Sequence, residues 1–219
     1  MVEINKKLTP YNFTAMGNKK NQYIVIHYVG AVSTAKNNVD YYAREKLKAS
    51  AHYFVDEKSI WQSVEDKDGA WHCGGGLQGV NGHTFYGKCT NSNSIGIEMC
   101  VKKNEKGNWY FEQGTLENTI WLVKELMQKY NIPIGRVIRH YDVTGKICPA
   151  PYVDENEWAK FKSQITVQEL VTPNDIVWEL GHRGFVTDTK GMLDEMNQNP
   201  NGRLYWLARK MLHYIRTKK

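Results

Sequence analysis

NQYIVIHYVG, at residues 21–30, is the stretch that decides the fold. It is a short apolar run rich in β-branched residues that ends at a glycine, which is typical of a buried strand. A second run, SIGIEMCV at residues 94–101, has the same character and is interrupted by a single carboxylate, Glu98. We therefore expect two buried strands to form the centre of the protein.

The segments around these strands predict a layered α/β structure. TLENTIWLVKELMQKY (residues 115–130) and DENEWAKFKSQI (residues 154–165) carry apolar residues at helical spacing, and Asp154 stands where an N-cap belongs. HYFVD and SIWQSV, at residues 52–56 and 59–64, read as a hairpin. Strands that alternate with helices indicate sheet and helix layers packed on each other.

A domain boundary is expected at residues 166–173. Beyond it the chain contains short helical patterns separated by glycine and proline, and no internal repeat is visible. We predict a main domain over residues 1–165 and a small C-terminal helical domain over residues 166–219.

Composition and charge exclude several classes of protein. Hydrophobic residues make up 41% and charged residues 24% of the chain, which is the balance of a folded globular protein. The net charge of +6 is not concentrated in a Lys/Arg block, which argues against nucleic acid as a partner. There is no apolar stretch of about 18 residues, so we expect no membrane insertion. The N-terminus has no apolar segment of the secretory kind, so we expect synthesis in the cytoplasm without a signal peptide.

The residues that suggest chemistry are spread along the chain. His27 lies inside the first apolar strand, Glu98 interrupts the second, and RHYDVTGKICPAP (residues 139–151) carries His140, Lys146 and Cys148. Two histidines and a cysteine can give zinc three ligands and leave a fourth position open, which is the pattern of a catalytic site. A carboxylate beside such a site can act as general base, and a lysine can stabilise a developing oxyanion.

A rival arrangement makes Cys148 a nucleophile with His140 as its base. It leaves His27 and Glu98 without a role. Spacing alone does not decide, because His27 is far from the other residues and no local zinc signature is present. Two further histidines are alternative ligands: His52 and His72.

Four motifs taken together resemble a known enzyme family. SAHYFVD, GAWHCGG, NSIGIEM and RHYDVTGKICPAP occur in this order, and they are similar to those of the zinc-dependent N-acetylmuramoyl-L-alanine amidases of the type-2 family. That family includes phage amidase-type lysozymes and is related to peptidoglycan recognition proteins. The resemblance covers residues 23–165. It implies a central mixed β-sheet flanked by helices, with one catalytic Zn²⁺ in a groove that holds the glycopeptide.

The resemblance also implies roles for individual residues. The family's three metal ligands match His27, His140 and Cys148. Its catalytic glutamate and lysine match Glu98 and Lys146.

The resemblance also assigns residues to substrate contact. Trp71 and His72 match the family's AWH segment, and Asn93 matches the polar approach to the SIGIE strand. Some phage members carry a catalytic tyrosine where this chain has Ala51, so we expect Glu98 to carry the acid–base role alone.

The implied reaction is hydrolysis of the amide between N-acetylmuramic acid and L-alanine, with bacterial peptidoglycan as partner. The expected setting is phage-induced lysis by an endolysin that acts at the cell wall after release. The alternatives are a bacterial autolysin of the same chemistry and a non-hydrolytic peptidoglycan-binding protein on the same fold.

For residues 166–219 we expect a wall-binding role, with anionic wall polymers as one ligand class. A second binding module raises the local concentration of enzyme at its substrate. The alternatives are that the segment completes the fold or mediates self-association into a homo-oligomer.

Overall fold

The protein is described by a computed structural model that covers residues 3–166, 173–182, 184–199, 202, 204, 207 and 208. Its internal contacts divide the chain into two compact units, residues 1–165 and residues 166–219. Each unit has its own buried apolar cluster.

The larger unit is built on a mixed β-sheet. In chain order the strands are β1 (Ile4–Lys6), β2 (Phe13–Thr14), β3 (Tyr23–Val32), β4 (Tyr53–Val55), β5 (Ile60–Gln62), β6 (Gly69–Ala70), β7 (Ser94–Lys103), β8 (Trp109–Tyr110) and β9 (Val137–Arg139). The main sheet has the order β1-β5-β4-β7-β3-β9, and β8 pairs with β7. Strand β3 runs parallel to β7 and β9, whereas β4 and β5 form the predicted antiparallel hairpin. The expected mixed sheet is confirmed, and the two apolar runs form its adjacent interior strands β3 and β7.

Four helices accompany the sheet in the larger unit: α1 (Ala35–Tyr42), α2 (Gln113–Tyr130), α3 (His140–Thr144) and α4 (Glu155–Thr166). The two long predicted helices correspond to α2 and α4. Asp154 caps α4 as expected, because its Oδ1 accepts the backbone N–H groups of Asn156 and Glu157 at 2.9 and 3.1 Å.

The two faces of strand β3 have different surroundings. Side chains alternate along a strand, so Ile24 and Ile26 point to one face while Val25 and His27 point to the other. The first face forms the main core with helices α2 and α4, whose contributions are Leu122, Val123, Leu126, Trp158, Phe161 and Ile165. A shift of one residue would exchange the faces, so burial of this core fixes the register.

The smaller unit contains α5 (Pro173–His182) and α6 (Thr189–Gln198). Its core consists of Ile176, Val177, Leu180, Met196 and Ala208. The side chain of Asp188 caps α6 by accepting the N–H of Gly191 at 2.8 Å. The third helical pattern of this unit, RLYWLARKMLHYIRTKK at residues 203–219, falls mostly outside the described residues. Among the described helices, none has the length and apolar content to cross a membrane.

Candidate active site

The parallel pairing of β3 and β7 sets His27 beside Glu98. The register aligns Ile26 with Ile97 and His27 with Glu98, so both polar side chains leave the sheet on the face away from α2 and α4. Strand β9 pairs with the other edge of β3 and ends at Arg139. His140 follows directly, and its ring centroid lies 4.7 Å from that of His27.

Cys148 reaches the same place from the loop after α3. Helix α3 ends at Gly145, whose positive φ of 79° turns the chain back. The backbone N–H of Tyr141 then donates to the carbonyl of Cys148 at 2.8 Å, which ties the loop to the start of α3. As a result the Sγ of Cys148 lies 3.7 Å from Nδ1 of His27.

These three residues form a group that fits a metal ion. The ligand atoms of His27, His140 and Cys148 lie within 4.8 Å of one another. Their residues are only 2%, 4% and 3% exposed. Neither ring nitrogen of His140 makes a hydrogen bond of normal geometry within the described part of the chain, and burying such nitrogens unpaired is costly.

The spacing agrees with tetrahedral zinc. Zn–N and Zn–S bonds of about 2.0 and 2.3 Å place a nitrogen and a sulfur ligand about 3.5 Å apart. The 3.7 Å between His27 Nδ1 and Cys148 Sγ is close to this distance. Three protein ligands leave a fourth position for water or substrate.

A second group with metal-ligand spacing consists of His27, His72 and Cys73. Here the nitrogens already have partners, since His27 Nε2 and His72 Nδ1 are 3.0 Å apart, at hydrogen-bond distance. His72 Nε2 in turn lies 3.2 Å from the hydroxyl of Ser94. The group that contains His140 therefore has the better donor set.

The electrostatics of the site favour neutral histidines. Burial lowers the pKa of His27 well below its ordinary value, and nearby His140 adds to the effect. Burial, followed by the charge of Lys146, lowers the pKa of His140 to about 4. Neutral imidazoles are the form that binds metal.

The cysteine nucleophile hypothesis does not fit these values. Burial raises the pKa of the Cys148 thiol to about 12, with the carboxylate of Glu98 adding to the rise. A protonated thiol beside a neutral His140 is not an activated nucleophile. A bound metal ion, in contrast, deprotonates a coordinating thiol directly.

Glu98 lies next to His27 on the neighbouring strand β7. Its Oε2 is buried and has no hydrogen-bond partner among the residues that the structure describes. Burial raises the pKa of Glu98 to about 8, and the cation of Lys146 opposes this rise. Lys146 itself is exposed, two residues before Cys148.

Two of the residues expected to bind substrate have side chains that hydrogen-bond within the protein. His72 is buried, with its Nδ1 3.0 Å from Nε2 of His27. Both polar ends of the Asn93 side chain are used within the turn before β7, since Oδ1 accepts from Thr90 N–H at 2.8 Å and Nδ2 donates to the Lys88 carbonyl at 2.9 Å. Trp71 is half-buried, and its indole N–H donates to Thr14 Oγ1 at 2.9 Å.

His52, the other alternative ligand, is also engaged elsewhere. Its Nδ1 accepts the N–H of Gly96 at 3.0 Å, and its Nε2 lies 2.7 Å from Nζ of Lys19. It belongs to neither of the two groups with metal-ligand spacing.

Sequence reasoning missed the contact between His72 and His27 and gave no role to Ser94. The available signal was Gly96, because a glycine inside a buried strand often marks a close approach. A Cβ at Gly96 would lie 2.5 Å from Cγ of His72, so the imidazole rests directly on the strand backbone.

Comparison with known proteins agrees with this geometry. Residues 17–151 match the family model described as N-acetylmuramoyl-L-alanine amidase. The amidase CwlL of Bacillus licheniformis is 34% identical over 149 residues, which is 65% of this chain and 40% of that protein. The amidase BlyA of Bacillus subtilis is 32% identical over 75% of this chain and 45% of its own length. The chain thus spans less than half the length of these two relatives.

Solved structures give the same result for the fold. The catalytic domain of XlyA superimposes with a TM-score of 0.60 at 27% identity, and the match covers 75% of this chain and 99% of that domain. The PlyG catalytic domain gives a TM-score of 0.62 at 29% identity over 77% of this chain and 96% of that one.

Proposed function

Since the chain belongs to the N-acetylmuramoyl-L-alanine amidase family, we propose that it hydrolyses the amide between N-acetylmuramic acid and L-alanine in bacterial peptidoglycan. The observation that carries the proposal is the group of His27, His140 and Cys148 beside a buried, unpartnered oxygen of Glu98. A metal site with an open position next to a proton acceptor supplies what metal-assisted hydrolysis of an amide needs.

In this proposal His27, His140 and Cys148 hold one zinc ion. When bound, zinc supplies Lewis acidity towards the scissile carbonyl and lowers the pKa of the attacking water. Because their pKa values are lowered, both histidines are neutral at neutral pH, and each has a nitrogen lone pair that can bind the metal.

Glu98 moves the proton. Its carboxylate takes a proton from the attacking water and delivers it to the leaving amine of L-alanine. A pKa of about 8 suits both halves of this transfer, because it lies near the working pH. Lys146 is exposed and places a cation against the oxyanion that develops on the carbonyl. The indole of Trp71 remains our proposed substrate contact.

Two variants separate metal binding from chemistry. Cys148→Ser should lose zinc and activity together, because it removes the thiolate ligand. Glu98→Ala should keep its zinc and lose about 10²- to 10⁴-fold in turnover, as expected for a general acid–base residue. Zinc content is measured by mass spectrometry of the purified proteins. Full activity in Glu98→Ala would refute the role of this carboxylate.

The bond that is cleaved is identified on digested peptidoglycan. We expect new N-termini of L-alanine, and we expect them to vanish when a chelator is present. New reducing sugar ends would instead indicate a glycosidase. Binding without any new ends would indicate a non-hydrolytic peptidoglycan-binding protein.

We also propose that the protein acts in phage-induced lysis, reaching the wall after release from the cytoplasm. Support comes from its likeness to a mutant endolysin from Bacillus subtilis, which matches with a TM-score of 0.60 at 29% identity. Cells that make the protein should stay intact until their membrane is permeabilised and should then lyse. Lysis without permeabilisation would favour an autolysin. The Glu98→Ala protein serves as the inactive control.

For the smaller unit we propose binding to the cell wall. It lies outside the region that matches the family model, and it has its own core and capped helix. A larger fraction of the full chain than of a chain ending at Ile165 should therefore co-sediment with purified walls. If both proteins sedimented equally, and light scattering showed an oligomer for the full chain and a monomer for the truncated protein, the unit would be assigned to self-association.

A further inference from the structure

We infer that a hydrogen-bond chain from the Thr90 carbonyl through Ser94 and His72 fixes the tautomer of His27, so that its Nδ1 lone pair is directed to the metal position. This inference rests on the proposed zinc site. It makes His72 and Ser94 positioning residues, which act through His27 and do not touch the substrate.

The direction of the chain is set at its outer end. The carbonyl oxygen of Thr90 can only accept a hydrogen bond. The Oγ of Ser94 lies 2.5 Å from it, so the single hydroxyl hydrogen of Ser94 is committed to that bond. The same oxygen lies 3.2 Å from Nε2 of His72 and must accept there. His72 therefore carries its hydrogen on Nε2.

The hydrogen bond between His72 and His27 then determines which nitrogen of His27 carries the hydrogen. The two histidines are only 2% and 7% exposed, and a buried imidazolium is costly, so each ring carries one hydrogen. With the hydrogen of His72 on Nε2, its Nδ1 is an acceptor and takes the Nε2–H of His27 at 3.0 Å. Nδ1 of His27 is then free of hydrogen, and it is this nitrogen that faces Cys148 Sγ at 3.7 Å.

The ring of His72 is held in place from three sides. The missing Cβ of Gly96 lets the imidazole rest on strand β7. The backbone N–H groups of His72 and Cys73 both donate to Oδ1 of Asn91, at 3.0 and 2.8 Å. The Cys73 thiol closes the third side, with its Sγ 3.1 Å from Nδ1 of His72.

The opposite direction is disfavoured. Moving the hydrogens to Nδ1 of both histidines would require Ser94 to donate to His72 and would leave the Thr90 carbonyl without its 2.5 Å partner. It would also place a hydrogen on the nitrogen that faces Cys148. Ligating histidines in proteins commonly have such partners on their second nitrogen, and removing those partners weakens metal binding.

The test uses the whole protein labelled with ¹⁵N-histidine, in zinc-loaded and zinc-stripped forms. Long-range ¹H–¹⁵N correlation spectra distinguish the two neutral tautomers of each ring. We expect the Nε2–H form for His27 and for His72 in the zinc-stripped protein. A hydrogen on Nδ1 of His27 in this form would overturn the inference.

Zinc affinity provides the second measurement. In Ser94→Ala we expect the dissociation constant for zinc to rise about 10- to 100-fold, with mixed tautomers of His72 in the stripped protein. Ser92→Ala is the matched control, because it removes a hydroxyl from the same turn, where Ser92 Oγ lies 2.8 Å from the Thr90 hydroxyl. It should bind zinc as the parent does. Equal zinc affinity in Ser94→Ala and the parent would refute the inference.

The tautomer measurement does not depend on turnover. If the protein failed to release L-alanine N-termini and still showed the Nε2–H form of His27, the amidase proposal would fall and the hydrogen-bond chain would stand.

Discussion

Asp142 lies between the proposed ligands His140 and Cys148 in sequence, and we predict that it supports the fold without binding metal. Its Oδ2 accepts the backbone N–H of Arg139 at 2.8 Å, and its Oδ1 accepts from the Arg139 guanidinium at 2.6 Å. The same guanidinium also donates to the Tyr152 carbonyl at 2.9 Å and to Glu155 at 2.7 Å. Arg139 thus ties α3, which begins with His140, to the start of α4.

The magnitude for Asp142→Asn follows from burial. The side chains of Arg139 and Asp142 are 4% and 14% exposed, and removing one partner of a buried ion pair costs about 3–5 kcal/mol. Arg139 keeps Glu155 and a carbonyl, and asparagine can still accept the backbone N–H of Arg139. We therefore expect a loss of about 2–3 kcal/mol, which lowers the Tm of a domain of this size by about 8 °C.

Glu155→Gln is the matched control because it removes a charge from the same guanidinium. The Glu155 side chain is 71% exposed, and exposed pairs contribute less than about 1 kcal/mol. Tm is measured by calorimetry on zinc-loaded protein, with zinc content determined in parallel. Equal Tm values for the two variants would refute the burial argument. Loss of zinc from Asp142→Asn at unchanged Tm would show that Asp142 acts at the metal.

Two further predictions concern the supports around the site. In Gly145→Ala the new Cβ would collide with the carbonyl of Gln78, whereas Gly107 has a similar positive φ and open space around its Cβ position. In denaturant titration Gly145→Ala should lose about 2 kcal/mol more unfolding free energy than Gly107→Ala. Equal losses in the two variants would contradict the collision. Burial lowers the pKa of Lys19 to about 8, so the unfolded chain holds this proton more tightly and stability rises with pH between the folded and unfolded pKa values. Relative to Lys19→Met, the parent should gain about 3 kcal/mol between pH 8 and pH 10.5, and parallel stability curves would contradict the lowered pKa.

The sequence carried much of the fold because its strongest local patterns agree with the tertiary structure. The apolar run at residues 21–30 and the periodic helix pattern at residues 115–130 both form the expected elements, within a few residues of the expected bounds. The helix boundary at Asp154 was readable because a cap is a local contact. The helical pattern at residues 203–219 lies mostly outside the described residues.

The candidate site was less accessible to sequence reasoning. His27, His140 and Cys148 were assembled as ligands through the family resemblance, since spacing alone left the cysteine nucleophile open. The burial of the His72 ring against the backbone of Gly96 depends on how distant segments pack, so the sequence pattern did not contain it.

What the sequence by itself determined is the identity of the strands, the helices and the polar residues that interrupt apolar runs, because these depend on near neighbours in the chain. What only the tertiary structure decided is which polar groups meet. The parallel register of β3 and β7 sets His27 beside Glu98, and the direction of hydrogen bonds behind His27 depends on a carbonyl at Thr90. Register and hydrogen-bond direction follow from pairing between distant segments, and a linear pattern does not contain that pairing.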